Sequence, residues 1–371
     1  MTDTRIVPIV MPKWGLSMKE GKVTGWLLED GSRINPGDAI LEVETDKIAG
    51  AVEAHESGVL RRRVGEPDTI YPVKSLLGVI ADPSVPEEEI DAYVSSFVTP
   101  SADEDEAEQG PKYEYAETSS GKLRYAKRGS GDETAILIHG FGGDLDNWLF
   151  NIDALGESAT VYALDLPGHG QSAKSLNKPG LGALADAVTS FMNTVGIDSA
   201  HLIGHSMGGA IAMHMAASDP GKVDSLTLIC SAGLGREIGS YVDSYVAAQG
   251  RKDLKPVLEQ LFADKSLVSR QLVDDVLKYK RLDGVEPLLK DLAASLFAGQ
   301  TQQDQPGAML ASSKAPPTLV IWGRQDEVIP SAHAQKLPNA KVVVFDDAGH
   351  MVFMEKASDV NSLIKSHIAG S

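Results

Sequence analysis

The sequence predicts two domains in one chain: a small all-β sandwich, then a larger α/β domain with a doubly wound, mostly parallel sheet and a helical cap. Three observations carry this. Residues 5–81 break into short apolar segments separated by Gly, Pro, Asn and Asp, with no helical period. Residues 82–111 are acidic and punctuated by Pro83, Pro86, Pro100 and Pro111. Residues 112–371 alternate strand-like and helix-like stretches. A chain of 371 residues has room for one small domain and one of about 250.

In the first domain the predicted strands are Arg5 to Val10, Gly21 to Leu28, Ala39 to Glu44, Ile48 to Ala54, Gly58 to Val64 and Leu77 to Ala81. Leu41 and Val43 alternate with Glu42 and Glu44, the period of a half-buried strand. Residues 82–111 read as a linker. Nine acidic residues and no Lys or Arg lie between Glu87 and Glu108, so the segment repels itself and buries little. Within it Ile90, Val94 and Phe97 share a helical face, which allows a helical turn there.

In the second domain the predicted strands are Tyr113 to Thr118, Leu123 to Gly129, Ala135 to His139, Thr160 to Asp165, Ala200 to Gly204, Ser225 to Ile229, Thr318 to Trp322 and Lys341 to Phe345. Helices fall between most of them, including Leu181 to Val195 and Gly208 to Ser218. The runs Ile136-Leu137-Ile138 and Leu319-Val320-Ile321 suit strands buried on both faces of a parallel sheet. Residues 232–312 form a long helical insertion, expected to cap the carboxyl ends of the strands.

Composition narrows the function. The chain is 42% hydrophobic and 23% charged, as soluble globular proteins are. A net charge of −18 argues against nucleic acid and anionic membranes as partners. The only cysteine, Cys230, ends an apolar run, so no internal disulfide is expected and the thiol reads as buried and inert. The N-terminal residues lack the basic and apolar regions of a signal peptide, and no stretch approaches the roughly 20 apolar residues of a membrane span. A cytoplasmic location is expected.

Two motifs carry chemistry. Thr45-Asp46-Lys47 sits between two predicted strands and forms a polar hairpin tip. Around it, in order, lie Met11-Pro12-Lys13-Trp14-Gly15-Leu16-Ser17-Met18, Gly21, Asn35-Pro36-Gly37-Asp38, Glu44-Thr45-Asp46-Lys47 and Ser57-Gly58-Val59-Leu60. This pattern, over residues 5–81, resembles the lipoyl domains of 2-oxo acid dehydrogenase complexes. The resemblance implies lipoate bound covalently to Lys47. The Met-Lys-Met of biotinyl domains is absent.

The second motif is Gly204-His205-Ser206-Met207-Gly208, a G-x-S-x-G between a predicted strand and a predicted helix. That context puts a serine on a strained turn with its hydroxyl exposed. Downstream, Trp322-Gly323-Arg324-Gln325-Asp326 places Asp326 after one strand, and Asp347-Ala348-Gly349-His350 places His350 after the last. Asp346 and Asp347 could compete as the acid, but they share a loop with His350, and Asp326 suits the role better. Residues 115–370 resemble the α/β-hydrolase family. The resemblance implies Ser206 as nucleophile, His350 as base then acid, and Asp326 as the group that holds the imidazole. His139-Gly140-Phe141-Gly142-Gly143 resembles the family's oxyanion loop, which implies the Phe141 and Met207 N–H groups as oxyanion donors. His139 is expected to brace that loop. His205 and His169 read as structural, and His333 falls in an expected surface segment. No metal-ligand cluster and no phosphate-binding loop is apparent.

The fusion as a whole resembles the family of acyltransferase components of acetoin-cleaving systems. The resemblance implies transfer of an acetyl group from the lipoyl arm to coenzyme A. It also implies a thiamine-diphosphate-dependent acetoin-cleaving component and a dihydrolipoyl dehydrogenase as partners. Two departures from 2-oxo acid dehydrogenase acyltransferases stand out: no His-x-x-x-Asp-Gly motif near the C-terminus, and no clear peripheral-subunit-binding domain. A lipoyl-linked serine thioesterase or hydrolase, or a carrier with a scaffolding α/β domain, are the competing expectations.

Overall fold

The computed structural model describes residues 5–12, 18–45, 49–54, 56–99, 113–311 and 315–370. The chain divides into two compact units, Met1–Pro111 and Lys112–Ser371.

The first unit is a sandwich of two four-stranded antiparallel sheets. Its strands are β1 (Ile6–Val10), β2 (Glu20–Trp26), β3 (Arg33–Ile34), β4 (Ala39–Glu44), β5 (Ala49–Glu53), β6 (Gly58–Arg63), β7 (Thr69–Pro72) and β8 (Leu76–Ala81). One sheet runs β1-β8-β6-β3 and the other β5-β4-β2-β7. Met11, Val23, Ile34, Leu41, Val43, Leu60 and Leu77 fill the space between the sheets. β3 and β7, too short and too mixed in character to read from pattern, complete the two sheets. β4 and β5 pair from Ala39–Glu53 to Glu44–Ala49. The connection from Glu44 to Ala49 contains Lys47, which lies outside the described residues.

The start of the acidic segment is ordered. Glu87–Ser96 is a helix, with Glu87, Glu88 and Glu89 in its first turn, where the helix dipole favours negative charge. Its Ile90 is fully buried with Ile6, Leu76, Val79 and Val85, and Tyr93, Val94 and Phe97 pack on the same cluster. Arg61 and Arg62 pair with Glu87, Arg62 with Asp91, and Arg5 with Glu89. These ion pairs are partly exposed and contribute little, so the apolar face holds the helix. The helical turn allowed by Ile90, Val94 and Phe97 is thus present, and the linker expectation fails for residues 87–96, whose charges line the outer face of a docked amphipathic helix.

The second unit has an eight-stranded sheet. Its strands are β9 (Tyr113–Thr118), β10 (Gly121–Arg128), β11 (Thr134–Ile138), β12 (Thr160–Leu164), β13 (Ala200–His205), β14 (Val223–Ile229), β15 (Thr318–Gly323) and β16 (Lys341–Phe345). The order is β16-β15-β14-β13-β11-β12-β10-β9. β11 to β16 pair in parallel, and β9 and β10 are antiparallel additions. Every residue of β13 and β15 is buried, as expected for central strands covered on both faces. The strand order reverses beside β11, and β13 on one side and β12 on the other deliver their following loops to one edge.

The insertion after β14 carries helices Tyr241–Ala247, Arg251–Leu258, Arg270–Lys280 and Val285–Leu296. The last buries Val285, Leu288, Leu289, Leu292 and Leu296, an i, i+3, i+4, i+7 stripe. Antiparallel bridges Glu237–Thr301 and Phe297–Gln302 close its base. Tyr245 and Leu288 lie against Gly142 and Gly168, which follow β11 and β12, so the insertion does cover carboxyl ends of the strands. The later helix Pro306–Ala311 returns to pack on the helix that follows β13. No helix among the described residues is long and apolar enough to cross a membrane.

Candidate active site

β13 delivers Ser206 to the carboxyl edge of the sheet, and the helix Met207–Ser218 starts immediately after it. Ser206 has φ 53° and ψ −118°, a sparsely populated conformation that costs about 1–3 kcal/mol and persists only where its surroundings impose it. They do. Ser206 N–H donates to Ile229 O (2.9 Å), and Ser206 O accepts from Gly209 N (3.0 Å) and Ala232 N (3.0 Å). A Cβ on Gly204 would lie 2.4 Å from Gly208 O, and one on Gly208 would lie 2.1 Å from Ile138 O. Both glycines are required by close backbone approach.

Asp326 follows β15 and His350 follows β16. His350 Nδ1–H donates to Asp326 Oδ2 at 2.8 Å, with both side chains essentially inaccessible. Asp326 Oδ1 accepts from the backbone N–H groups of Val328 (2.8 Å) and Ile329 (2.9 Å). With Nδ1 committed, Nε2 is the ring atom free to accept a proton. The competing acids are engaged elsewhere: Asp346 with Arg324 (2.9 Å) and Asp347 with Lys356 (2.6 Å), both exposed. Ser206 Oγ makes no hydrogen bond among the described residues.

The oxyanion loop passes directly over Ser206. A Cβ on Gly140 would lie 3.0 Å from Ser206 Cβ. The N–H groups of Phe141 and Met207 make no hydrogen bond among the described residues. The backbone on either side of Phe141 is tied. Gly140 O accepts from His139 Nδ1 (2.8 Å) and from Gly143 N (3.2 Å). Leu166 N donates to His139 Nε2 (3.0 Å), which fixes that tautomer. Gly142 N donates to His169 Nε2 (3.1 Å), whose Nδ1–H donates to Pro167 O (3.1 Å). Burial pushes His139 down to about 4 and His169 down to about 3, so both rings are neutral at pH 7.

The remaining histidines separate. His205 donates from Nε2 to His350 O (3.1 Å) and packs tilted against the His350 ring, with centroids 4.6 Å apart. It braces the loop of His350 and is held neutral by burial. His333 was expected at the surface. It is instead 2% exposed, with Nε2 on Glu237 (2.8 Å), because the loop after β14 folds over it.

Several supporting residues owe their role to partners distant in sequence. Asp165 is fully buried. It accepts from Arg124 Nε (2.6 Å), Leu145 N (2.8 Å) and Gln171 N (2.7 Å), which shapes the turn that bears His169. Glu355 accepts from Gly349 N (2.6 Å) and Ala263 N (2.9 Å) and so fastens the His350 loop to the insertion. Cys230 is fully buried with φ 43°. Its sulfur lies within 4.8 Å of donor atoms of Asp326 and His350, while its neighbours Ile229 and Ala232 bond the Ser206 backbone.

The arrangement suits acyl transfer through a serine. Residues 135–357 match the alpha/beta hydrolase fold family, and residues 7–70 match the family described as biotin-requiring enzymes. Among solved structures, a meta-cleavage product hydrolase from Pseudomonas fluorescens shares the fold at TM-score 0.63, with 22% identity over 69% of this chain and 97% of that one. The chain thus joins a lipoyl-type attachment domain to an α/β-hydrolase fold. The dihydrolipoyllysine-residue acetyltransferase component of the acetoin cleaving system of Cupriavidus necator is 52% identical over 98% of both chains. Its counterpart in Pseudomonas putida is 48% identical over 96% of this chain and 97% of that one. The chain belongs to this family of acetyltransferase components. A hydrolase of Paraburkholderia phymatum, named for 2-hydroxy-6-oxononadienedioate and 2-hydroxy-6-oxononatrienedioate, is 31% identical over 66% of this chain and 89% of that one.

Proposed function

We propose that this chain moves an acetyl group from a lipoyl arm on Lys47 to coenzyme A, through Ser206, His350 and Asp326. The observation that carries the reading is the buried His350–Asp326 pair beside the Ser206 turn, in a chain that also bears a lipoyl-type sandwich. The β4–β5 hairpin, closed at the Glu44–Ala49 pair, suits attachment of an arm in the connection that holds Lys47. Lipoate supplies a thiol that carries the acyl group as a thioester; the rest is the work of the protein's own residues.

Ser206 Oγ attacks the thioester carbonyl as His350 Nε2 takes the hydroxyl proton. The oxyanion forms against the Phe141 and Met207 N–H groups. When it collapses, the carbon–sulfur bond breaks and His350 returns the proton to the leaving sulfur. His350 then takes the thiol proton of coenzyme A, whose sulfur attacks acyl-Ser206. The second collapse releases acetyl-coenzyme A, and the proton goes back to Ser206 Oγ. Asp326 keeps the imidazole in the required tautomer throughout. The acyl group would arrive from a thiamine-diphosphate-dependent acetoin-cleaving component, and a dihydrolipoyl dehydrogenase would re-oxidise the arm. All of this suits a cytoplasmic protein with a reduced thiol.

The test is a single turnover of lipoylated, arm-acetylated protein with and without coenzyme A, reading acetyl-coenzyme A against free acetate. The expected product is acetyl-coenzyme A, and Ser206→Ala should keep the acetylated arm but lose its discharge. Normal discharge by this variant would sink the acyl-serine route. Free acetate regardless of coenzyme A would make the second unit a hydrolase, in line with the activity named for the Paraburkholderia relative.

A further inference from the structure

The insertion reaches the oxyanion loop through Tyr245. Its hydroxyl donates to Gly142 O at 3.2 Å, and the tyrosine is 1% exposed. Gly142 has φ +77°, and a Cβ there would lie 2.7 Å from Tyr245 Cζ, so ring and loop are in direct contact. Gly142 is thus held on both sides: its N–H by His169, from the core, and its carbonyl by Tyr245, from the insertion.

Tyr245 is itself held by an unusual group. Lys280 is only 7% exposed and no carboxylate bonds it. Its ammonium donates to Tyr245 O and to Ala248 O (2.7 Å), the open carbonyls at the C-terminal end of the helix Tyr241–Ala247. It also lies 4.7 Å from the centre of the Tyr245 ring. A buried ammonium with no directly bonded carboxylate is costly; the helix C-terminus and the aromatic face offset that cost, with Glu286 acting at longer range. The adjacent Tyr279 donates to Gly168 O at 2.6 Å, in the turn that carries His169. One end of the helix Arg270–Lys280 therefore fastens both partners of Gly142.

We infer that Tyr245, seated by Lys280, is a positioning residue for the oxyanion hole. A trans peptide is planar. Holding Gly140 O through His139, and Gly142 on both sides, leaves the Phe141 N–H one direction to point. The inference rests on Phe141 N–H being an oxyanion donor. Tyr245 acts through that donor and touches no reacting atom.

The test is Tyr245→Phe, which keeps the ring on Gly142 and removes one hydroxyl. The kcat for discharge of the acylated arm to coenzyme A should fall about fivefold to tenfold, with KM unchanged. A trifluoromethyl ketone, whose serine adduct carries the oxyanion, should bind weaker by the same factor. A thioether analogue of the ground state should bind as before. Unchanged kcat and ketone affinity would overturn the inference, as would equal weakening of ketone and thioether. A 3-fluorotyrosine at position 245 is a stronger donor of nearly the same shape, and it should tighten the ketone; looser or unchanged binding counts against the role. Ser206→Ala run in parallel separates the two readings. If it discharges normally, the serine route fails; if it is dead while Tyr245→Phe is normal, only the positioning role fails.

Discussion

Lowering the pH from about 7.5 to about 5 should remove about 4 kcal/mol of stability from the α/β unit through two histidines alone. His139 and His169 are fully buried, and burial holds them at about 4 and about 3 against an ordinary 6.5. Their folded values are depressed, so below 6.5 the unfolded chain binds protons that the folded chain refuses. The stability they support is therefore complete above that value and is lost as the pH falls toward their folded values. Near pH 5 the unfolded imidazoles are almost fully protonated and the folded ones are not, which costs about 2 kcal/mol per ring. His205, also depressed by burial, adds to the loss in the same direction.

The assay is urea unfolding followed by the fluorescence of Trp148 and Trp322, both fully buried in this unit. Wild-type protein is compared with the pair His139→Asn and His169→Asn at both pH values. The double variant starts less stable, since it disturbs the oxyanion loop, but the difference between the two pH values should shrink by about 4 kcal/mol. Carboxylates titrate mostly below this window and contribute equally to both proteins. If the double variant loses as much stability as wild type on acidification, the reasoning from buried neutral imidazoles is wrong.

Two further outcomes follow from buried groups near the site. Burial and the Asp326 carboxylate push the Cys230 thiol well up, so Ellman's reagent should find no reactive thiol in the folded protein and one per chain after denaturation; fast labelling of the native protein would contradict this. Arg124→Leu removes the buried ion-pair partner of Asp165 beneath the His169 turn and should cost about 3–5 kcal/mol in urea unfolding. A loss below about 1 kcal/mol would show that the pair is no brace.

The parts of the site that could be read from the chain are those whose constraint is local. Gly204 and Gly208 announce the Ser206 turn because the close approaches they permit lie within a few residues of the nucleophile or on the neighbouring strand. Asp326 and His350 are legible because each follows a strand that ends at the same sheet edge. The supports are not legible because their partners are far away in sequence. Tyr245 meets Gly142 across 103 positions, Glu355 meets Ala263 across 92, and His205 meets His350 across 145. No period or spacing encodes such pairs. The helix Glu87–Ser96 was legible as a helical face but not as a docked element. Its acidic residues dominate the composition, whereas its packing depends on the single face that carries Ile90, Val94 and Phe97.

These supports bear on what the site can do. Asp326 has both oxygens bonded, His139 and His169 have both ring nitrogens bonded, and burial keeps the Cys230 thiol protonated. Among the described residues, Ser206 Oγ and the Phe141 and Met207 N–H groups make no hydrogen bond along the nucleophile turn and oxyanion loop, and the buried His205 Nδ1 is also unpartnered. The hydroxyl and the two N–H groups are those that serine acyl transfer requires, and they favour no particular acceptor: water and a thiol would meet the same nucleophile, base and oxyanion donors. The choice of acceptor must then come from delivery and exclusion. On the proposed reading, delivery would come from the lipoyl arm, because a tethered acyl donor that can reach a site meets it at an effective concentration that a free thioester would not reach. Exclusion of water falls to the insertion, and Tyr245 and Lys280 make the seating of that insertion and the aim of the oxyanion hole one structural event.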